Sequence, residues 1–237
     1  MKEVLSFETK DELENSLLDF FIIQQKNAIE KKGLFCIALS GGNTPLSFYE
    51  KLANKKNIQW DKTHIFFVDD RMVKDDSNVS NTHQIKKVLL DKIVIPEENI
   101  HFIDKSLDEN DAALEYELEI KSFFKEEVPS FDFILLGIGE DGHTASLFPH
   151  SDTLKEKNKL VVSSSTKQES FFRISFSLKL INHTKVVVFM VVGNNKARII
   201  KKIIQDKDIR CPATHVKAKE KVVFFLDSKA AIFLLSM

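Results

Sequence analysis

Short, almost continuously apolar runs recur along the chain at Leu34–Leu39, Ile65–Val68, Phe131–Leu136, Lys185–Val192, Val222–Leu226 and Ile232–Leu235. Each has the length and composition of a strand covered on both faces. The segments between them carry apolar residues at helical spacing. Leu13, Leu17, Phe21 and Ala28 precede the first run, and Ala113, Leu114, Leu118 and Phe124 precede the third. This alternation predicts an α/β fold: a doubly wound, mainly parallel sheet flanked by helices, Rossmann-like in its winding. No internal repeat, low-complexity tract or Pro/Gly-rich linker breaks the pattern, so residues 1–237 are expected to form one domain.

Composition narrows the function classes. Hydrophobic residues make up 43% and charged residues 29%, an ordinary globular balance. The 20 phenylalanines, beside one Trp and two Tyr, read as core filling rather than as a stacking surface for bases. With 34 basic against 35 acidic residues the net charge is −1, which supplies no field for nucleic acid or an anionic membrane. Any bound anion must therefore be gripped locally. The Met1–Leu18 segment is acidic and interrupted by charges, unlike a secretory signal, and no apolar run nears the ~20 residues that span a bilayer. Cys36 lies within an apolar run and Cys211 just before Pro212, without metal-type spacing. Neither a disulfide nor a metal is expected, and the setting implied is reducing and cytoplasmic.

In an open parallel sheet, ligands sit beyond the carboxyl ends of the strands, near the switch in strand order. Four strand ends carry unusual chemistry. The first run leads into Ser40-Gly41-Gly42-Asn43-Thr44-Pro45 and then the helical pattern Leu46–Leu52. Paired glycines let backbone amides approach a ligand, Thr44 is suited to cap the helix and Pro45 to open it, and such a helix start attracts phosphate. A tight strand-to-helix turn without a ligand fits the same residues. The spacing matches neither the dinucleotide fingerprint nor a P-loop.

The second run ends in Asp69-Asp70-Arg71, followed by Asp75-Asp76-Ser77-Asn78. Two acids and an arginine there can orient a base or grip an oxyanion; a solvated loop with Asn81 capping the next helix fits equally well. The third run delivers Asp141 and His143 into a turn containing Gly137, Gly139 and Gly142, which continues Thr144-Ala145-Ser146-Leu147-Phe148-Pro149. A histidine in that setting can serve as a general base near neutral pH, with the carboxylate fixing its tautomer. The fourth leads into Gly193-Asn194-Asn195-Lys196-Ala197-Arg198, placing cations against a helix start that a bound phosphate would offset. Arg173, among Phe171–Leu178, is a second candidate phosphate ligand. Taken singly, either cation fits a solvated charge.

Together, Leu39–Pro45, Asp69-Asp70-Arg71, Gly137–Pro149, Arg173-Ile174-Ser175 and Gly193–Ala197 resemble the 6-phosphogluconolactonase family in order and spacing, over nearly the whole chain. Glucosamine-6-phosphate deaminase/isomerase, of the same superfamily, is similar at the glycine loop, the Asp-Gly-His turn and the Gly-x-x-Lys segment. Arg71 after the acidic pair and Thr144–Pro149 after the histidine follow the lactonase pattern. The deaminase pattern has an aromatic after the acids, and after the histidine Ile-Ala-Phe-Asn-Glu. One departure from the lactonase pattern is Asp70, where Glu is usual.

The resemblance implies a sheet of the sugar-phosphate isomerase/lactonase type and hydrolysis of 6-phospho-D-glucono-1,5-lactone to 6-phosphogluconate, in the oxidative pentose phosphate pathway. It implies a small-molecule phosphorylated sugar lactone as partner, without metal, cofactor, nucleic acid or membrane. By position, His143 would be the catalytic base and Asp141 its partner. Asp69 and Arg71 would line the sugar end, while Ser40, Gly41, Gly42, Thr44, Arg173 and Lys196 would surround the phosphate. The competing readings are the deaminase/isomerase, with Asp69 or Asp70 moving a C2 proton, a serine hydrolase using Ser40, and a non-catalytic sugar-phosphate binder.

Overall fold

The computed structural model describes residues 2–166 and 170–234. Its strands in chain order are β1 (Lys2–Phe7), β2 (Phe35–Leu39), β3 (Thr63–Phe67), β4 (Asp69–Arg71), β5 (Ile100–His101), β6 (Phe133–Leu136), β7 (Val161–Ser164), β8 (Arg173–Phe176), β9 (Val186–Val191) and β10 (Lys221–Asp227). The helices are α1 (Lys10–Lys32), α2 (Asn43–Ala53), α3 (Asn81–Val88), α4 (Glu109–Phe124), α5 (Leu178–Asn182), α6 (Ala197–Ile204) and α7 (Ser228–Ala231).

Seven strands form one parallel sheet in the order β1-β10-β9-β6-β2-β3-β5. The expected doubly wound sheet is thus present. β2, β6 and β9 lie at its centre and are buried along their whole length, which is why their sequences are unbroken apolar runs. From β2 the chain winds through β3 to β5, and from β6 it winds the other way through β9 to β10. The order therefore reverses between β2 and β6. Right-handed crossovers put α1 and α2 on one face and α4 and α6 on the other. Leu39 pairs with Phe67 and with Leu135, so the ends of β2, β3 and β6 open side by side.

Phenylalanine fills the layers between. Phe21 of α1 meets the edges of Phe35 and Phe133 at 5.4 and 5.5 Å, and Phe66 meets Phe131 edge-on at 5.1 Å. Each ring so buried contributes about 1.5–3 kcal/mol relative to exposure. α1 carries local stop signs at both ends. The Thr9 hydroxyl accepts from the Glu12 amide, and Gly33 takes the left-handed cap at φ 83°. No helix among the described residues is long and apolar enough to cross a membrane.

A second sheet, β4-β8-β7, is antiparallel and springs from the end of β3. Val68 joins the two: its amide donates to the Leu39 carbonyl, and its own carbonyl accepts from Phe176. The acidic stretch Asp69–Arg71 is therefore a strand, not a loop. β1, β5, β7 and β8 lie outside the apolar runs read from the sequence. Conversely, the run Ile232–Leu235 is no strand where it is described. Asp227 caps α7 through the Ala230 amide, and residues 232–234 turn, with Ile232 62% and Phe233 46% exposed. β10 already has β9 and β1 on its two sides, which leaves no slot beside it for that run. Leu235 lies outside the described residues.

Candidate active site

β2 delivers the glycine turn. Gly42 adopts φ 92° and is itself the N-cap of α2, with no side chain capping the helix. Thr44 and Pro45 thus occupy the second and third helical positions rather than the cap and the first, as the sequence suggested. A glycine can turn the chain into the helix two residues earlier than a hydroxyl cap would. The first-turn amides have no carbonyl four residues back, so this helix start can receive an anion. Ser40 is buried; the Tyr49 hydroxyl donates to its carbonyl at 2.6 Å, while its own Oγ has no hydrogen-bond partner among the described residues.

β6 delivers the histidine turn. His143 Nδ1 lies 2.6 Å from Asp141 Oδ1, which also accepts the His143 backbone amide at 3.0 Å. A carboxylate only accepts, so Nδ1 carries a proton, and in the neutral imidazole Nε2 presents the lone pair. The turn is closed by Gly139 N–H donating to the His143 carbonyl at 2.8 Å, and by Gly142 N–H donating to the Gly139 carbonyl at 3.0 Å. A Cβ at Gly139 would overlap the imidazole, so a hydrogen is required there for the His143–Asp141 pair to close. The ring of Phe148 packs 4.7 Å from that of His143, and the Arg173 guanidinium lies 5.5 Å from Phe148.

The small sheet delivers the charges. Asp69 is buried beside Ser146, whose hydroxyl donates to Oδ2 at 2.5 Å, and Asn81, whose Nδ2 donates to its carbonyl and its Oδ1 at 2.9 and 3.3 Å. Burial raises its pKa above the usual carboxylate range, against the lowering pull of the Ser146 bond, Arg71 and Arg173. Arg71 Nη1 donates to the Val79 carbonyl at 3.0 Å and to Asn81 Oδ1.

Asp70 belongs to the scaffold. Its carboxylate accepts the Arg71, Asn81 and Thr82 amides at 2.7, 2.6 and 3.1 Å, and Lys105 Nζ sits 2.7 Å away. The short side chain is fully engaged there. Ser80, not Asn81, caps α3, accepting from the His83 amide.

Lys196 stands at the N-cap of α6, after Gly193 at φ 103°. Burial lowers its pKa, with Glu140 and Asp141 pulling the other way. Asn195 donates to Glu140 at 2.7 Å and so ties this turn to that of His143. Arg198 is exposed and lies outside the site.

These ends enclose a cleft of about 370 Å³ lined by Ser40, Gly41, Gly42, Thr44, Asp69, Arg71, His143, Arg173 and Lys196, with Asn43, Asn81, Ala145 and Asn195 among the added walls. Asp141 stands behind His143, outside the lining. A larger hollow of about 490 Å³ beside α3 contains none of these strand ends. Sequence reasoning treated Asn81 only as a possible cap and overlooked Ser146 and Lys105. Ser146 lay inside a quoted motif, whereas nothing in the sequence ties Lys105 to Asp70.

Residues 8–225 match the family described as glucosamine-6-phosphate isomerases/6-phosphogluconolactonase. The chain is 36% identical to the 6-phosphogluconolactonase of Nostoc sp. over 220 residues, 90% of each protein. It is 34% identical to that of Thermotoga maritima over 218 residues, 90% of this chain and 96% of the relative. The solved Thermotoga maritima 6-phosphogluconolactonase superposes with a TM-score of 0.86 at 31% identity, over 96% of this chain and 100% of that one. The Trypanosoma cruzi 6-phosphogluconolactonase does so at 0.89 and 26% identity, over 100% and 98%.

Proposed function

Because the chain belongs to the glucosamine-6-phosphate isomerase/6-phosphogluconolactonase family, we propose that it hydrolyses 6-phospho-D-glucono-1,5-lactone to 6-phosphogluconate with water activated by His143. The observation that carries this reading is the 2.6 Å pairing of His143 Nδ1 with Asp141, on a turn whose imidazole lines the cleft shared with the glycine loop.

His143 Nε2 takes a proton from water as the water oxygen bonds to the lactone C1, and the carbonyl oxygen becomes an oxyanion. Collapse of that intermediate breaks the bond from C1 to the ring oxygen, which receives the proton back from the imidazolium. Asp141 holds the ring in one tautomer and supports its charged form. Such acid–base help is worth about 10²–10⁴-fold. Arg71 or amides of the Gly137–Gly142 turn stabilise the oxyanion. Ser40, Gly41, Gly42, Thr44, Arg173 and Lys196 hold the phosphate, which is remote from C1 and acts by orienting the ring.

Arg71 after the acidic pair and Thr144–Pro149 after the histidine favour the lactonase over the isomerase branch. A continuous assay with freshly generated lactone, corrected for spontaneous hydrolysis and run beside the unphosphorylated lactone, tests the function. His143→Ala should lower kcat about 10²–10⁴-fold with the fold intact. Near-parental turnover by the folded variant would remove His143 as the base, and ammonia release from glucosamine 6-phosphate would favour the other branch.

A further inference from the structure

We infer that Asn81 is a positioning residue of this active site, its buried amide holding Arg71 and Asp69 in fixed relation to the glycine turn. The inference rests on the reading of the cleft as a lactone site. Asn81 is 2% exposed, and each end of its amide faces a partner of one chemical kind. Nδ2 meets the Asp69 carbonyl and carboxylate, which only accept, and Oδ1 meets the Arg71 guanidinium, which only donates. Flipping the amide would break both sets of contacts.

The third neighbour is Gly41. A Cβ there would collide with the Asn81 side chain, so the glycine turn rests against this amide. One side chain therefore touches the candidate phosphate loop, the buried acid and the candidate oxyanion donor. Asn81 is itself held from behind. As the first residue of α3 it donates its amide to Asp70, which Ser80 Oγ and Lys105 also contact at 3.1 and 2.7 Å. A chain of buried contacts thus runs from Lys105 through Asp70 to the guanidinium in the cleft. A guanidinium anchored before the reaction needs no reorganisation when charge develops on the carbonyl oxygen.

The test is a double-mutant cycle on lactone hydrolysis by the full chain. Asn81→Ala should lower kcat about 10²-fold, the scale of a small misplacement of reacting groups, with parental circular dichroism. Asn81→Asp keeps the volume and the acceptor toward Arg71 but sets a second carboxylate against Asp69; its loss should be no smaller. If the alanine variant does not fold, Asn81→Leu, which keeps the volume and sets no charge against Asp69, carries the cycle. A residue acting through Arg71 loses its importance once Arg71 is gone, so in an Arg71→Ala background the Asn81 change should cost less than about tenfold. The role is overturned if a folded Asn81 variant keeps near-parental kcat, or if its full loss persists beside Arg71→Ala. A parent chain that does not hydrolyse the lactone would instead overturn the proposed function on which the role depends.

Discussion

Arg71 on β4 and Arg173 on β8 stand directly opposite one another in an antiparallel register pair. Side chains of such a pair leave the sheet on the same face, where like charges repel. Both guanidiniums line the cleft, as does the buried Asp69. Under the proposed function, Arg173 meets the phosphate of the substrate at this edge of the cleft.

Arg173→Ala should therefore act mainly on binding. Hydrogen bonds to charged groups are worth about 1.5–3 kcal/mol, or about 10–150-fold in KM for the phosphorylated lactone. The parent should gain thermal stability from 6-phosphogluconate, and the variant should gain much less. A variant with unchanged KM and a collapsed kcat would move Arg173 from the phosphate to the reacting end.

Two glycines of the same turn should fail differently. Gly139 lies outside the left-handed region, and a Cβ there meets the His143 ring and approaches Asp141 Oδ1 at 2.6 Å. Gly139→Ala should keep the melting temperature within a few degrees and lose about 10²-fold or more in kcat. Gly142 sits at φ 87°, with its Cβ position 2.7 Å from that of Cys211 and 3.2 Å from the Cys211 backbone. Gly142→Ala should lower stability by about 1–2 kcal/mol from the left-handed backbone alone, with the steric clash adding to it. Thermal unfolding beside steady-state kinetics separates the two, and equal effects on stability would refute the distinction.

Burial lowers the Lys196 ammonium below its ordinary 10.5. The folded chain therefore gives up this proton before an unfolded one does. Between the lowered value and 10.5 the unfolded state binds more protons, so this group's contribution to stability rises with pH there, while the charge proposed to hold the phosphate is lost. Calorimetric affinity for 6-phosphogluconate should weaken on the alkaline side in the parent and hold steady in Lys196→Arg, whose charge persists. Parallel pH profiles would separate Lys196 from the ligand.

His64 provides an acid-side test away from the cleft. Its Nδ1 lies 3.2 Å from His101 Nε2, while His101 Nδ1 lies 2.8 Å from Glu119 and its ring stacks on Phe66 at 3.9 Å. Burial, followed by the neighbouring His101, lowers the His64 pKa from 6.5 to about 4. As pH falls through that window the unfolded chain takes up a proton that the folded chain refuses. Stability from this group is thus lost between 6.5 and about 4, and levels off below. His64→Gln should show a shallower fall in melting temperature across that interval; an unchanged slope would assign the acid sensitivity elsewhere.

Much of this architecture was legible before any coordinates. Phe35–Leu39, Phe133–Leu136 and Val186–Val191 announce themselves because a strand covered on both faces has no polar position to spare. The sheet then sends the turns that follow them to one edge. For the same reason Ser40, Gly42, His143 and Lys196 could be nominated together from one dimension and line one cleft in three. The Asp141–His143 pairing was likewise local, two residues apart on one turn.

The small sheet escaped because β4 consists of charged residues alone and β8, although Arg173-Ile174-Ser175-Phe176 alternates, is only four residues long. Their pairing joins residues about a hundred positions apart, and the run Ile232–Leu235 missed its expected strand because of neighbours equally remote in sequence. The amino-acid sequence by itself determined which strands are buried and which turns can carry chemistry, since burial and backbone freedom are properties of short segments. Only the tertiary structure decided that Arg71 faces Arg173, that Asn81 sits between Gly41 and Asp69, and that Lys105 pairs with Asp70. Those relations depend on long-range register and on charges meeting inside a low-dielectric interior, which no local pattern of residues encodes.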